Sequence, residues 1–292
     1  MRDTLLDLCR RYADANVDHN GVAVTPVSGM TVVRALHPGE LQAAVSKPLI
    51  AILLQGRKRV ITRLDRFEYG PGEAMLIAAD VPTVSQITQA SISAPYYSLV
   101  LELDIAILQE LQSSLPAEQR FTSSVRIEPI DEDVADAAYR LARLFGQHEA
   151  LMALGAGLLR ELHYWLLKSV HGQAIRALGA VDSHAARISR AVAILRKDFM
   201  RTIRVEELAE AAGMSVSVFH QRFRAITTLS PLQFQKQLRL INARQLMFAD
   251  GVGIAQAAYA VGYVSISQFT REYARMFNVP PGRDVRITKM TR

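Results

Sequence analysis

The 292-residue chain is predicted to be an α+β protein. An N-terminal β-barrel of the jelly-roll kind with following helices comes first, and an all-α C-terminal domain of two helix-turn-helix units joined by a long helix comes second. Three observations predict this. Short β-branched and apolar runs recur between residues 21 and 104, punctuated by Gly and Pro clusters. Apolar residues then recur at spacings of three and four up to about residue 172. The last third holds one helical pattern twice, S-x-S-x-F-x-[QR]-x-[FY], at an offset of 50.

At 32.4 kDa, with 50% hydrophobic and 21% charged residues, the composition is globular and long enough for two domains. The start, "MRDTLLDLCRRYAD", places Asp3 and Asp7 among its leucines, so it reads as an amphipathic helix and not as a signal peptide. No run of 18 or more apolar residues without charge is present to span a bilayer, and no membrane partner is expected. The single cysteine, Cys9, cannot form an internal disulfide, which fits a cytoplasmic location.

Within residues 21–104, "LIAILLQG", "KRVITRL", "EAMLIAA" and "YYSLVLEL" read as strands, with "HPGE", "QGRKR", "YGPGEA" and "ADVPT" as turns. Many short strands without helices between them predict a sandwich or small barrel. After Asp104, "AILQELQSSL", "DEDVADAAYRLARLFGQ" and "LMALGAGLLRELHYWLLKSVHGQ" read as helices. In the last, Leu151, Leu154, Leu158, Leu162, Trp165 and Val170 exceed one narrow stripe, so this helix should bury itself against the barrel, a partner subunit or both. The periodicity weakens through "HGQAIRALGAVDSHA", where Gly172 and Gly179 place a linker. The expected division is 1–178, a linker at 179–186, and 187–292.

Charge divides at the same place. Residues 1–185 carry 17 Lys and Arg against 21 Asp and Glu, whereas residues 186–292 carry 17 against 7. The C-terminal third is a basic unit, and such a unit attracts polyanions because neutralised phosphates release counterions.

In that third, "SVSVFHQRF" (215–223) and "SISQFTREY" (265–273) each follow a short apolar helix, "VEELAEAA" or "IAQAAYAV", and a glycine, Gly213 or Gly262. Helix, glycine turn and second helix, with Ala209 and Ala258 allowing close approach, describe a helix-turn-helix unit. Ser215 and Ser265 suit the N-caps of the second helices. Between the copies, "SPLQFQKQLRLINARQLMF" opens with a cap serine and a first-turn proline. It should run about 27 Å at 1.5 Å per residue. That length holds two recognition helices roughly one duplex turn, about 34 Å, apart.

Residues 187–286 resemble the DNA-binding domain of the AraC/XylS family of bacterial transcription regulators, with "LAEAAGMSVSVFHQRF", "SPLQFQKQLRLINARQLM", "AAYAVGYVSISQFTREYARMF" and "VPPGRDVR" in the family's order. Residues 21–110, with "LLQGRKRV", "FEYGPGEAMLIAADVP" and "APYYSLVLELD", resemble the cupin-type N-terminal domain of one subgroup. The resemblance implies a barrel with an effector cavity, helices that carry homodimer contacts, promoter DNA as partner, RNA polymerase as a second partner if the protein activates, and activation as the output. This sequence departs from the pattern at Gln221, where arginine is usual, at Arg222, and at Asn278, where glycine is common.

Ser217, His220, Gln221 and Arg224 fall at i, i+3, i+4 and i+7 and share a face, with Phe219 and Phe223 behind. Ser267, Thr270 and Arg271 face outward in the second copy, with Phe269 and Tyr273 behind. The resemblance assigns base reading to Ser217, His220, Gln221, Ser267, Thr270 and Arg271, with Val216 and Ile266 at the flank. Arg271 suits guanine O6 and N7, Gln221 suits adenine, and Ile266 suits a thymine methyl. Arg224, Lys236, Arg239, Arg244 and Arg275 are expected phosphate contacts, which set register without reading sequence.

A metal-dependent cupin enzyme is a second reading, and it needs clustered His and carboxylate ligands. Residues 21–104 contain only His37, no H-x-H occurs, and His163 and His171 stand eight apart. No G-x-S-x-G elbow or P-loop is present either. No enzyme activity, metal or cofactor is expected. A ligand-independent regulator whose barrel only dimerises is a third reading. Effector residues stay unassigned, because inward and outward strand positions are not distinguished by sequence; the run Arg57, Lys58, Arg59 reads as a solvated hairpin end.

Overall fold

A computed structural model describes residues 3–62, 65–112, 125–179 and 183–291. The chain forms two compact units, Met1–Ala186 and Arg187–Arg292. The first opens with α1 (Leu5–Asn16), whose start is closed by a reciprocal capping box between Thr4 and Asp7. Among the described residues ten strands follow: β1 (Val22–Val24), β2 (Met30–Ala35), β3 (Gln42–Ser46), β4 (Leu49–Gln55), β5 (Arg57–Ile61), β6 (Arg66–Tyr69), β7 (Glu73–Ile77), β8 (Val81–Gln89), β9 (Tyr96–Glu102) and β10 (Val125–Pro129). They make two antiparallel sheets, β1-β2-β9-β4-β7-β10 and β3-β8-β5-β6. The expected barrel is therefore an open sandwich, because each sheet ends on its own edge strands among the described residues.

Alternation assigns the faces of the larger sheet. Ile50, Ile52, Leu76, Tyr97, Leu99 and Leu101 join a core with Cys9 and Ala13 of α1. That core continues into α3 (Glu132–Ala142), α4 (His148–Lys168) and α5 (Gly172–Gly179) through Leu141, Leu162, Leu166 and Ile175. Burial in this core pushes the Cys9 thiol up to about 12. Residues of the opposite parity on β9, Tyr96 and Ser98, are equally buried but face away from the helices.

Two elements differ from expectation. Val125–Pro129 forms a strand, not part of a helical stretch, because Val125 and Ile127 alternate and pair with β7. Gly172–Gly179 is helical, not linker, because Ala174, Ile175 and Leu178 bury one face against α2 (Ile105–Gln112) and α4. Parts of three expected segments, 63–64, 113–115 and 180–182, lie outside the described residues; the rest of the expected linker is already helical from His184. Helix α4 buries Leu162, Leu166 and Leu167 but exposes Met152 and Leu154 near its start.

The second unit contains α6 (His184–Asp198), which crosses into it from the boundary, α7 (Val205–Ala211), α8 (Val216–Thr227), α9 (Pro231–Ala249), α10 (Ile254–Ala260), α11 (Ile266–Phe277) and α12 (Pro281–Thr291). Helix α9 begins with Pro231 behind a capping box of Ser230 and Gln233, and α8, α10, α11 and α12 all pack on it. Helices α8 and α11 both end in a left-handed residue, Thr228 at φ 64 and Asn278 at φ 58. Asparagine tolerates that backbone, whereas a β-branched residue does not. We expect Thr228→Gly to raise stability by about 0.5–1 kcal/mol, since relief of left-handed strain exceeds the glycine entropy cost. A denaturant midpoint that stays the same or falls would contradict this.

Candidate nucleic-acid interface

Each helix-turn-helix begins with the same closure. At the end of α7, Met214 N–H donates to Ala209 O at 2.9 Å and Gly213 N–H to Glu210 O at 2.8 Å. At the end of α10, Tyr263 N–H donates to Ala258 O and Gly262 N–H to Tyr259 O, both at 3.0 Å. These are Schellman closures, and their left-handed position is filled by Gly213 at φ 61 and Gly262 at φ 87. The closures are offset by 49 residues but the cap serines by 50, so the second turn is one residue longer. Val264, 91% exposed, lies in that longer turn.

Ser215 then accepts from Val218 N–H and Ser265 from Gln268 N–H, which orients α8 and α11. Behind the first helix Phe219, Phe223 and Phe234 pack at ring separations of 5.3 and 5.6 Å. Behind the second, Tyr263, Phe269, Tyr273 and Phe277 stack in series with Leu240, Ala243 and Met247 of α9. These anchors set the rotation of each helix and so decide what is left outside.

What is left outside is polar. Ser217, His220, Gln221, Arg224, Ser267, Arg271 and Arg275 are exposed, Thr270 is half-buried, and Val216 and Ile266 flank them with partial exposure. None of the six expected base readers makes a side-chain hydrogen bond or ion pair within the described residues, and neither do Arg224, Arg275 and Arg222. Two faces of unspent donors and acceptors thus stand on two helices braced by one scaffold helix.

Three expected phosphate contacts are placed otherwise. Arg239 is a clasp: it donates to the carbonyls of Phe199 at 2.7 Å, Gly262 at 2.9 Å, Met200 at 3.0 Å and Arg201 at 3.1 Å. Its guanidinium is committed to backbone because the α6–α7 connection and the second turn converge on α9. Arg244 forms a fork with Asp284 at 3.0 and 3.3 Å, with Phe248 and Phe277 against its guanidinium at 4.8 and 5.0 Å. The pair is nearly buried, at 16% and 8% side-chain exposure, so Arg244 faces the interior. Lys236 donates to Glu272 at 2.7 Å, and Tyr263 and Gln268 donate to the same carboxylate. Burial pushes Glu272 up, but these donors outweigh it and hold the carboxyl below its ordinary range.

Sequence reasoning missed Arg187, Gln235 and Asp284. Arg187 Nε donates to Ala212 O at 2.8 Å and its guanidinium also meets Gly213 O, so the first turn has a clasp like that of Arg239. Gln235 holds the carbonyls of Phe199 and Arg201 at 3.0 and 2.6 Å. Nothing in their residue types marks these roles, which depend on tertiary approach.

In the first unit, His163 Nε2 accepts from Asp104 N–H at 3.0 Å and Nδ1 faces Leu159 O at 2.8 Å. This fixes the neutral Nδ1–H tautomer, and burial lowers the ring's pKa further. Both nitrogens are occupied by backbone. No cluster of three or more His, Cys, Asp or Glu suited to a metal occurs among the described residues, and no helix among them is long and apolar enough to cross a membrane.

Comparison with known proteins places these features in context. Residues 26–174 match a family described as the AraC-type transcriptional regulator N-terminus, and residues 208–286 match a helix-turn-helix domain family. The chain is 31% identical over 108 residues to the HTH-type transcriptional activator RhaS of Salmonella arizonae, covering 37% of this chain and 38% of that protein. It is 26% identical over 168 residues to the HTH-type transcriptional regulator GbdR of Pseudomonas aeruginosa, covering 57% and 43%. The chain thus spans about two-fifths of the length of these relatives. Among solved structures, fatty-acid-bound ToxT of Vibrio cholerae superposes with a TM-score of 0.58 at 12% identity, covering 88% of this chain and 93% of that one, which shows a shared fold.

Proposed function

The chain belongs to the AraC-type family of transcriptional regulators, and from that premise we propose that it binds promoter DNA through α8 and α11 in two consecutive major-groove segments. The observation that supports this is the pair of exposed, unspent polar faces on helices braced by α9. Arg271 reads guanine, Gln221 reads adenine, and Ser217, His220, Ser267 and Thr270 complete the two reading faces. Arg224 and Arg275 hold phosphates at the edges of the same faces, while Arg239 and Arg244 preserve the geometry from behind. In this reading the protein is a cytoplasmic homodimer that activates transcription with RNA polymerase, and a small molecule bound in the N-terminal sandwich biases its DNA-competent state.

Arg271→Ala tests the reading face. It should cost about 1–3 kcal/mol on the specific site and relax selection at one base position, with little change on random DNA. Arg275→Ala should weaken specific and random DNA alike. Footprinting and competition binding on both DNAs measure this; equal losses on the two for Arg271→Ala would remove it from base reading. Genome-wide mapping that found no specific sites would overturn the proposal as a whole.

A further inference from the structure

We propose that Val264 is a specificity-determining residue: beside Ile266 it packs against the C5-methyl group of a thymine, so that the second helix-turn-helix selects that base through a side chain the first unit lacks. This rests on the DNA-reading function above and adds to it one residue and one base.

The longer second turn puts Val264 in place. In the first unit Met214, whose N–H closes α7 onto Ala209 O, is followed directly by the cap residue Ser215. In the second, Tyr263 closes α10 onto Ala258 O, and Val264 stands between it and the cap residue Ser265. Tyr263 is buried against Phe269 behind α11, with ring centroids 5.3 Å apart. Val264 turns the other way. It is 91% exposed, the most exposed large apolar side chain among the described residues. It therefore stands on the outer side of the turn, at the end of α11 from which the face of Ser267 and Arg271 begins.

A lone exposed valine on a protein surface needs no explanation. Position is what singles this one out. The N-terminal end of a recognition helix is the part that reaches base edges. At that end Ile266 is apolar and 37% exposed as well, so two branched apolar side chains bracket Ser265. The Ser265 hydroxyl between them accepts from Gln268 N–H at 3.2 Å as the helix cap. A place that met phosphate would call for a cation or a donor, and neither valine nor isoleucine is one. The thymine methyl is the apolar group that base pairs present in the major groove, and burying methyl against methyl is favourable without any hydrogen bond. The first unit offers Val216 after its cap but no residue corresponding to Val264, so the two units differ in what they select.

The test uses duplexes that the full chain selects from a random pool. Each thymine of the selected site is replaced in turn by deoxyuridine, which removes only the methyl group, and binding is measured by competition. The unsubstituted protein should lose about fourfold at one thymine, in the half of the site where Arg271→Ala relaxes selection. Val264→Ala should lose about as much on the all-thymine site and become indifferent to deoxyuridine at that position, while Gln221→Ala keeps the full response there. The urea midpoint of Val264→Ala should match that of the unsubstituted protein, because a side chain this exposed contributes little to the fold. The proposal is overturned if no thymine responds to deoxyuridine, if Val264→Ala binds the selected site undiminished, or if Val264→Ala still loses affinity when the methyl is removed. A Val264→Ala protein that binds DNA unchanged but fails to activate transcription would give the residue to a protein partner instead. Selection of no duplex at all would remove the DNA-reading function and this inference together, whereas the other failures remove this inference alone.

Discussion

Gly262→Ala should destabilise the C-terminal unit by about 2–5 kcal/mol and abolish specific DNA binding. Two independent terms add at this position. The backbone is left-handed at φ 87, which costs an L-residue about 1–2 kcal/mol. A Cβ there would also stand 2.1 Å from Met200 O and 2.9 Å from its carbonyl carbon, and overpacking of that kind costs about 1–3 kcal/mol. Met200 cannot easily yield, because Arg239 holds its carbonyl together with those of Phe199, Arg201 and Gly262. Any shift would therefore move the turn that aims α11. Gly213→Ala supplies the control. Its Cβ would meet the Arg187 guanidinium, which can swing away only by loosening its hold on the Ala212 and Gly213 carbonyls, so the cost should be the backbone term plus roughly one hydrogen bond, about 1.5–3 kcal/mol. Urea unfolding of the two variants measures the difference; a Gly213→Ala loss equal to or above that of Gly262→Ala would refute the collision argument.

Asp284→Ala should cost about 3–5 kcal/mol, the range for breaking one side of a buried ion pair. It removes the carboxylate that accepts both bonds of the Arg244 fork and the 2.6 Å hydrogen bond from the Tyr273 hydroxyl. Tyr273 is fully buried on the inner face of α11, so α12, α9 and α11 all lose a shared fixing point. Asp284→Asn keeps an acceptor for Tyr273 and should lose less. Replacing both partners, Arg244→Met with Asp284→Leu, should recover part of the loss because no charge stays buried alone. Thermal unfolding of the single and double variants closes the cycle; an additive double variant would show that the pair is not coupled.

Much of the C-terminal unit was legible because its signals are local. Ser215, Ser265, Ser230 with Pro231, and the two turn glycines act within one or two turns of their own chain, and helical spacing alone separates Phe269 and Tyr273 from Ser267 and Arg271. The phosphate assignments were less legible. An arginine on α9 looks the same in sequence whether it meets a phosphate, as expected, or four carbonyls, as Arg239 does. In the N-terminal unit, β10 and α5 were hidden because a five-residue strand and an eight-residue helix carry too few periods to stand out from their flanks.

The sequence by itself determined the passage from a strand-rich to a helical region, the internal repeat, the charge division and which polar residues stand opposite the aromatic anchors on α8 and α11, because capping, turn chemistry and amphipathic period operate over a few residues. Only the tertiary structure decided that the sheets stay open, that Arg239, Arg244 and Lys236 are engaged within the fold, and that Lys58 faces inward while Arg59 faces out. Those outcomes depend on strand register and on which distant backbone meets which side chain. A shift of one residue in pairing would have reversed the two faces of β5 with no change in sequence.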